Sequence, residues 1–188
     1  MYIVLLLSSL LATVLGAPLV ARQSDTEWKP AAGTTTTCDV NADKYISLTI
    51  GPEQGNVIFE HACAGIMPGC AFPESLAEGT VCTQTVTYKL DGPKNTTLNA
   101  LVEKRENHNK LSDWAVNFAV APAKQPEDSA GVHLTKADCI GYFQELLLKS
   151  APEGCTLQGL GPSAGTLTVG GMTSLKDAVF GVSFVKRT

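Results

Sequence analysis

The sequence contains no basic stripe, no H-E-x-x-H pair and no phosphate-binding Gly-rich loop. The first absence excludes the electrostatic footprint of a nucleic-acid binder. Lys and Arg number 14 against 18 Asp and Glu, a formal charge of −4 over 188 residues. The other two absences leave the chain without a zincin or P-loop signature. Glycine and proline, at 17 and 10, are too few for a collagenous or low-complexity chain. No stretch after the first segment approaches the roughly 20 apolar residues that cross a bilayer, so no integral membrane segment is expected. What is there is an ordinary globular balance, 44% hydrophobic and 17% charged, at a length that suits one domain.

The first segment reads as an address. Residues 3–15 are apolar except for Ser8, Ser9 and Thr13. The run is too short to span a membrane and is followed by the small residues Gly16 and Ala17, as a signal peptide requires. Residues 1–17 are therefore expected to be a signal peptide, and 18–22 a pro-segment ending at Arg22 before Gln23. The expected localisation is secreted, extracellular.

All six cysteines follow this region: Cys38, Cys63, Cys70, Cys82, Cys139 and Cys155. An even count in an exported chain predicts three disulfides, with 15 pairings open. A zinc site would need short paired spacings such as C-x₂-C, and the gaps of 25, 7, 12, 57 and 16 offer none. No metal and no cofactor is expected.

The hydrophobic pattern predicts an α+β fold, mostly antiparallel sheet, stapled by disulfides. Residues 23–37 read as a disordered, extended leader, with Trp28 as a packing anchor. Residues 45–50 alternate as a half-buried strand. Residues 56–67 fit either a helix starting at Asn56 and stopped by Pro68, or a second strand. Residues 81–90, rich in threonine and β-branched side chains, predict a strand. Residues 97–102, 114–120, 165–169 and 178–185 predict further strands, and 121–130 a loop. Residues 135–149 predict a helix, capped by Thr135 with Asp138 in capping-box position. Its stripe of Cys139, Tyr142, Phe143, Leu146 and Leu147 should face the strands at 114–120 and 178–185. A single domain over 38–188 is expected. Residues 46–52 (I-S-L-T-I-G-P) match 116–122 (V-N-F-A-V-A-P) in pattern, which suggests an internal duplication of about 45–90 and 115–185.

Few residues invite chemistry. His61 lies two positions from Cys63, the spacing of a conceivable nucleophilic pair, but the even cysteine count implies that Cys63 is oxidised. His108 sits in a polar turn and His133 just before the helix. Glu60, Asp113 and Asp138 are scattered carboxylates that only a fold could bring together for glycosidase work. Asn95 heads the one N-x-[ST] sequon and is the expected glycan site. Lys104 and Arg105 form a dibasic pair that divides 23–188 into halves with four and two cysteines, each of which could be bridged internally. The pair reads either as a processing site or as an uncut hairpin end.

A short signal peptide, a pro-segment ending in Arg22 before Gln23 and six cysteines together resemble the small secreted cysteine-rich proteins of filamentous fungi. Within that class, residues 135–143 (T-K-A-D-C-I-G-Y-F) are similar to the helix of the necrosis-inducing effector family. The suggested duplication around a central dibasic pair resembles the two-chain killer toxins of smut fungi. The resemblance implies a non-enzymatic effector or virulence protein that binds an extracellular protein or glycan on a host or competitor. A small secreted hydrolase, or a two-chain toxin cut at Lys104-Arg105, is the alternative. An apolar patch without a polar cleft would favour the first, and a pocket where carboxylates meet His61 the hydrolase.

Overall fold

The computed structural model describes residues 27–48, 52–83, 86–126 and 129–187; the expected signal peptide, the pro-segment and Arg22 lie outside them. In chain order the elements are the strands Thr35–Cys38 (β1) and Lys44–Ile46 (β2), the helix Pro52–Ile66 (α1), and the strands Tyr88–Leu90 (β3), Lys94–Leu98 (β4), Val102–Lys104 (β5), Trp114–Ala121 (β6) and Val132–Leu134 (β7). The helix Lys136–Leu148 (α2) follows, then Thr156–Leu157 (β8), Gly161–Pro162 (β9), Gly165–Thr168 (β10) and Val179–Lys186 (β11). Five strands form one antiparallel sheet in the order β1-β10-β11-β6-β4, and β2–β5, β3–β7 and β8–β9 form two-stranded ribbons. This is the disulfide-stapled α+β fold that the hydrophobic pattern predicts.

Alternation builds the large sheet. Val116, Phe118 and Val120 of β6 and Phe180 and Val182 of β11 are buried on one face, in a register that sets Phe118 opposite Val182 and Val120 opposite Phe180. The helix α2 lies on that face. Its ring of Phe143 meets Phe118 edge-on at 5.2 Å and Phe180 at 5.3 Å between centroids. Cys139, Tyr142, Phe143, Leu146 and Leu147 are all buried, as the helical spacing requires. Thr135 caps the helix: its Oγ1 accepts from the Asp138 backbone N–H at 2.9 Å and donates to Asp138 Oδ2 at 2.6 Å. The opposite sheet face carries Thr35, Thr37, Thr166, Ser183, Asn95 and Thr97, all exposed and uncharged.

Three disulfides form, Cys38–Cys155, Cys63–Cys139 and Cys70–Cys82, and no cysteine is free. Cys63–Cys139 bolts α1 to α2. Two of the bridges cross position 104, so the halves on either side of Lys104-Arg105 are not each bridged within themselves.

Several boundaries differ from the sequence pattern for physical reasons. The 56–67 segment is helical as far as Ile66, and the helix starts earlier, at Pro52, where a proline forfeits no intrahelical hydrogen bond. Among the described residues of the expected 81–90 strand, Tyr88–Leu90 is strand. Cys82 is tied back to Cys70, and Val81 and Val86 project into solvent at 85% and 71% exposure instead of packing on a core. The expected 97–102 strand is two strands in different sheets, β4 and β5, with residues 99–101 between them. The 45–50 strand contracts to Lys44–Ile46; Thr49 and Ile50 lie outside the described residues.

The disordered leader expected over 23–37 is corrected from Trp28 onward. Thr35–Cys38 pairs with β10 as an edge strand. Trp28 donates its Nε1–H to Asp138 Oδ1 at 3.1 Å and stacks edge-on against Tyr142. The suggested duplication does not organise the sheets either. β6 is interior in the large sheet, whereas β2, at the matching segment, pairs only with β5.

Candidate binding groove

The break between β4 and β5 leaves a concavity. Ile46 and Leu48 leave the β2 ribbon, Val57, Ile58 and His61 project from the first turns of α1, and residues 98–101 close the far side. The enclosed volume is about 710 Å³, inside the range of about 300–1,000 Å³ usual for ligand pockets. The Ser47 backbone N–H donates to Leu101 O at 2.9 Å and pins the two walls together. Most of the described lining is apolar; its polar members are Ser47, His61 and Asn99, with no carboxylate among them. Val57 is 42% exposed, so apolar surface reaches the rim. A second, shallower hollow of about 390 Å³ shares Leu48 and adds Leu148, Leu157 and Leu160.

The groove brings together few of the residues singled out by sequence. His61 is in it, but Cys63 is buried in its disulfide with Cys139, so the nucleophilic pair does not exist. Glu60 and Asp113 do not line it, and Asp138 is committed to capping α2 and holding Trp28. Among the described residues no group of three His, Cys, Asp or Glu converges as a metal site would require. Nor is any described helix long and apolar enough to cross a membrane.

The other polar constellation lies on the β2–β5 ribbon. The Tyr45 hydroxyl donates to Glu103 Oε2 and lies 2.8 Å from His108 Nδ1. A phenol has one proton to give, so with it on Glu103 the histidine must donate from Nδ1. Burial, together with the carboxylate of Glu103, pushes the Tyr45 phenol up to about 12. Tyr45 is 3% exposed, and the cluster ties β2 to the hairpin that follows β5. The hairpin carries the dibasic pair: Lys104 ends β5, and Arg105 donates from its backbone to Asp43 O and from its guanidinium to Val40 O, each at 2.8 Å. His133 donates from Nε2 to Ala130 O at 3.0 Å and leaves a buried Nδ1 without a partner among the described residues. Asn95 projects from the outer face of the edge strand β4, open to solvent as a glycan requires.

Sequence reasoning finds His61 but misses the groove. Its walls come from three separated segments, and residues 98–101 read as uninterrupted strand. The one usable signal is Leu101, an apolar residue between Ala100 and Val102 that breaks the two-residue alternation of Leu98, Ala100 and Val102.

The sequence matches no family model, and neither curated proteins nor solved structures give a match.

Proposed function

We propose that the protein is exported and acts outside the cell as a non-enzymatic binding protein of the effector class, engaging a host or competitor surface through the groove between α1 and residues 98–101. One observation carries this reading: among the described residues the groove is apolar to its rim, and no carboxylate lines it with His61. General acid–base hydrolysis needs a titratable pair within reach of one substrate atom. An apolar groove of this size needs only a complementary apolar group. Three disulfides suit an oxidising extracellular setting. The signal peptide over 1–17 and a glycan on Asn95 belong to the same proposal, as does the fungal origin suggested by the resemblance. An apolar lining favours a protein or lipid contact over a glycan, whose hydroxyls would go unpaired there.

The test uses labelled, disulfide-bonded protein recovered from culture medium and incubated with intact plant or yeast cells. Saturable retention, displaced by unlabelled protein and at least tenfold weaker for Val57→Asp, supports the proposal. Retention that never saturates, or that Val57→Asp leaves unchanged, overturns it.

A further inference from the structure

Asn99, Ala100 and Leu101 line two concavities. One is the apolar groove. The other is a smaller hollow of about 230 Å³, which adds Lys110 and Arg187 to the same three residues. Neither cation forms an ion pair with a described residue. Arg187 is held in place by its Nε–H, which donates to Trp114 O at 2.9 Å, and by its backbone N–H, which donates to Asp113 O at 2.8 Å. An apolar trough therefore shares residues 99–101 with a hollow that carries two positive charges unpaired among the described residues, on a chain whose formal charge is negative.

We propose that the groove takes a single acyl chain whose anionic head group, carboxylate or phosphate, reaches past residues 99–101 to Lys110 and Arg187. The proposal rests on the reading of the groove as the binding site and adds the class of ligand. The chain accounts for the apolar lining, since methylenes gain from leaving water and need no hydrogen-bond partner. The head accounts for the cations, which attract an anion at the surface and lose little solvation in doing so. His61, facing the groove from α1, supplies a polar contact within reach of the trough and no charge-matched partner for a cationic ligand.

The experiment is a calorimetric titration of the disulfide-bonded exported protein with octanoate, dodecanoate, palmitate, palmitoyl lysophosphatidate and hexadecanol, each below its aggregation threshold. One palmitate per chain is expected, with affinity rising up to about fourfold for each methylene added until the groove is full. Lys110→Glu with Arg187→Glu should weaken palmitate and lysophosphatidate tenfold or more and leave hexadecanol unchanged. Val57→Asp, at an exposed helix position, should weaken all three; if it melts low, Val57→Ser gives the same comparison. Whichever of palmitate and lysophosphatidate binds tighter identifies the head group, and either order supports the proposal. No saturable binding of either anion, or hexadecanol binding as tightly as palmitate, overturns it. Failure of every lipid while Val57→Asp still abolishes cell retention removes the ligand class and leaves the groove reading standing. Palmitate binding that Val57→Asp destroys, with cell retention intact, removes the surface-binding reading and leaves the lipid site.

Discussion

At the scale of single residues, position in the sheet–helix interface decides more than residue type. Phe143 is fully buried between Phe118 and Phe180, two rings from different strands. Phe143→Ala leaves a cavity that none of these neighbours can fill, and should cost about 3–5 kcal/mol in chemical denaturation. A loss under about 1 kcal/mol would show that the site collapses around the smaller side chain. Tyr45 gives a pH signature of opposite character. Its folded phenol holds its proton to about 12, against an ordinary value near 10. The unfolded chain thus releases that proton first, so the stabilisation is complete below pH 10 and is lost as pH climbs through about 12. Denaturation of the parent and of Tyr45→Phe across this alkaline window should show the steeper fall in the parent. Equal slopes would mean that the Glu103 contact does not hold in solution.

At the scale of elements, two helical glycines run against propensity. A methyl group at Gly65 in α1 would collide with Thr96 of β4, and one at Gly141 in α2 with the ring of Trp28. Alanine gains about 1 kcal/mol over glycine in a free helix. Here Gly141→Ala should nonetheless lower stability and shift Trp28 fluorescence toward that of an exposed indole; a raised melting temperature with unchanged emission would contradict the close approach. The same contacts show what the sequence made legible. The α2 stripe and the β6 and β11 alternations were readable because each follows one period over many residues against a large apolar partner. The 81–90 strand was not, because its threonine-rich propensity is overridden by the Cys70–Cys82 staple, a contact that residue spacing does not reveal. The edge strand β1 hid in a polar, threonine-rich segment, since an edge pairs through its backbone and buries little side chain. The groove hid for a related reason: a gap between strands has no periodicity of its own.

At the scale of the whole molecule, the disulfides decide what the dibasic pair can do. Cys38–Cys155 and Cys63–Cys139 both span Lys104-Arg105, with separations of 117 and 76 residues. The pair itself is bound into its hairpin by backbone and guanidinium hydrogen bonds. A dibasic-specific protease should therefore spare the native protein and cut it after Arg105 once it is denatured without reductant. The pieces should part on a gel only when reduced, and rapid cutting of the native protein would instead favour the two-chain reading. The groove, and no other apolar surface, is proposed to engage the target. The most direct measurement compares retention on intact cells of Val57→Asp, at the groove rim, with that of Val81→Asp, an equally simple change at a valine 85% exposed outside the described lining. Melting temperatures of both are recorded alongside. Both variants should melt like the parent, Val81→Asp should be retained as the parent is, and Val57→Asp should be retained at least tenfold less tightly; equal retention of the two variants would contradict the role of the groove.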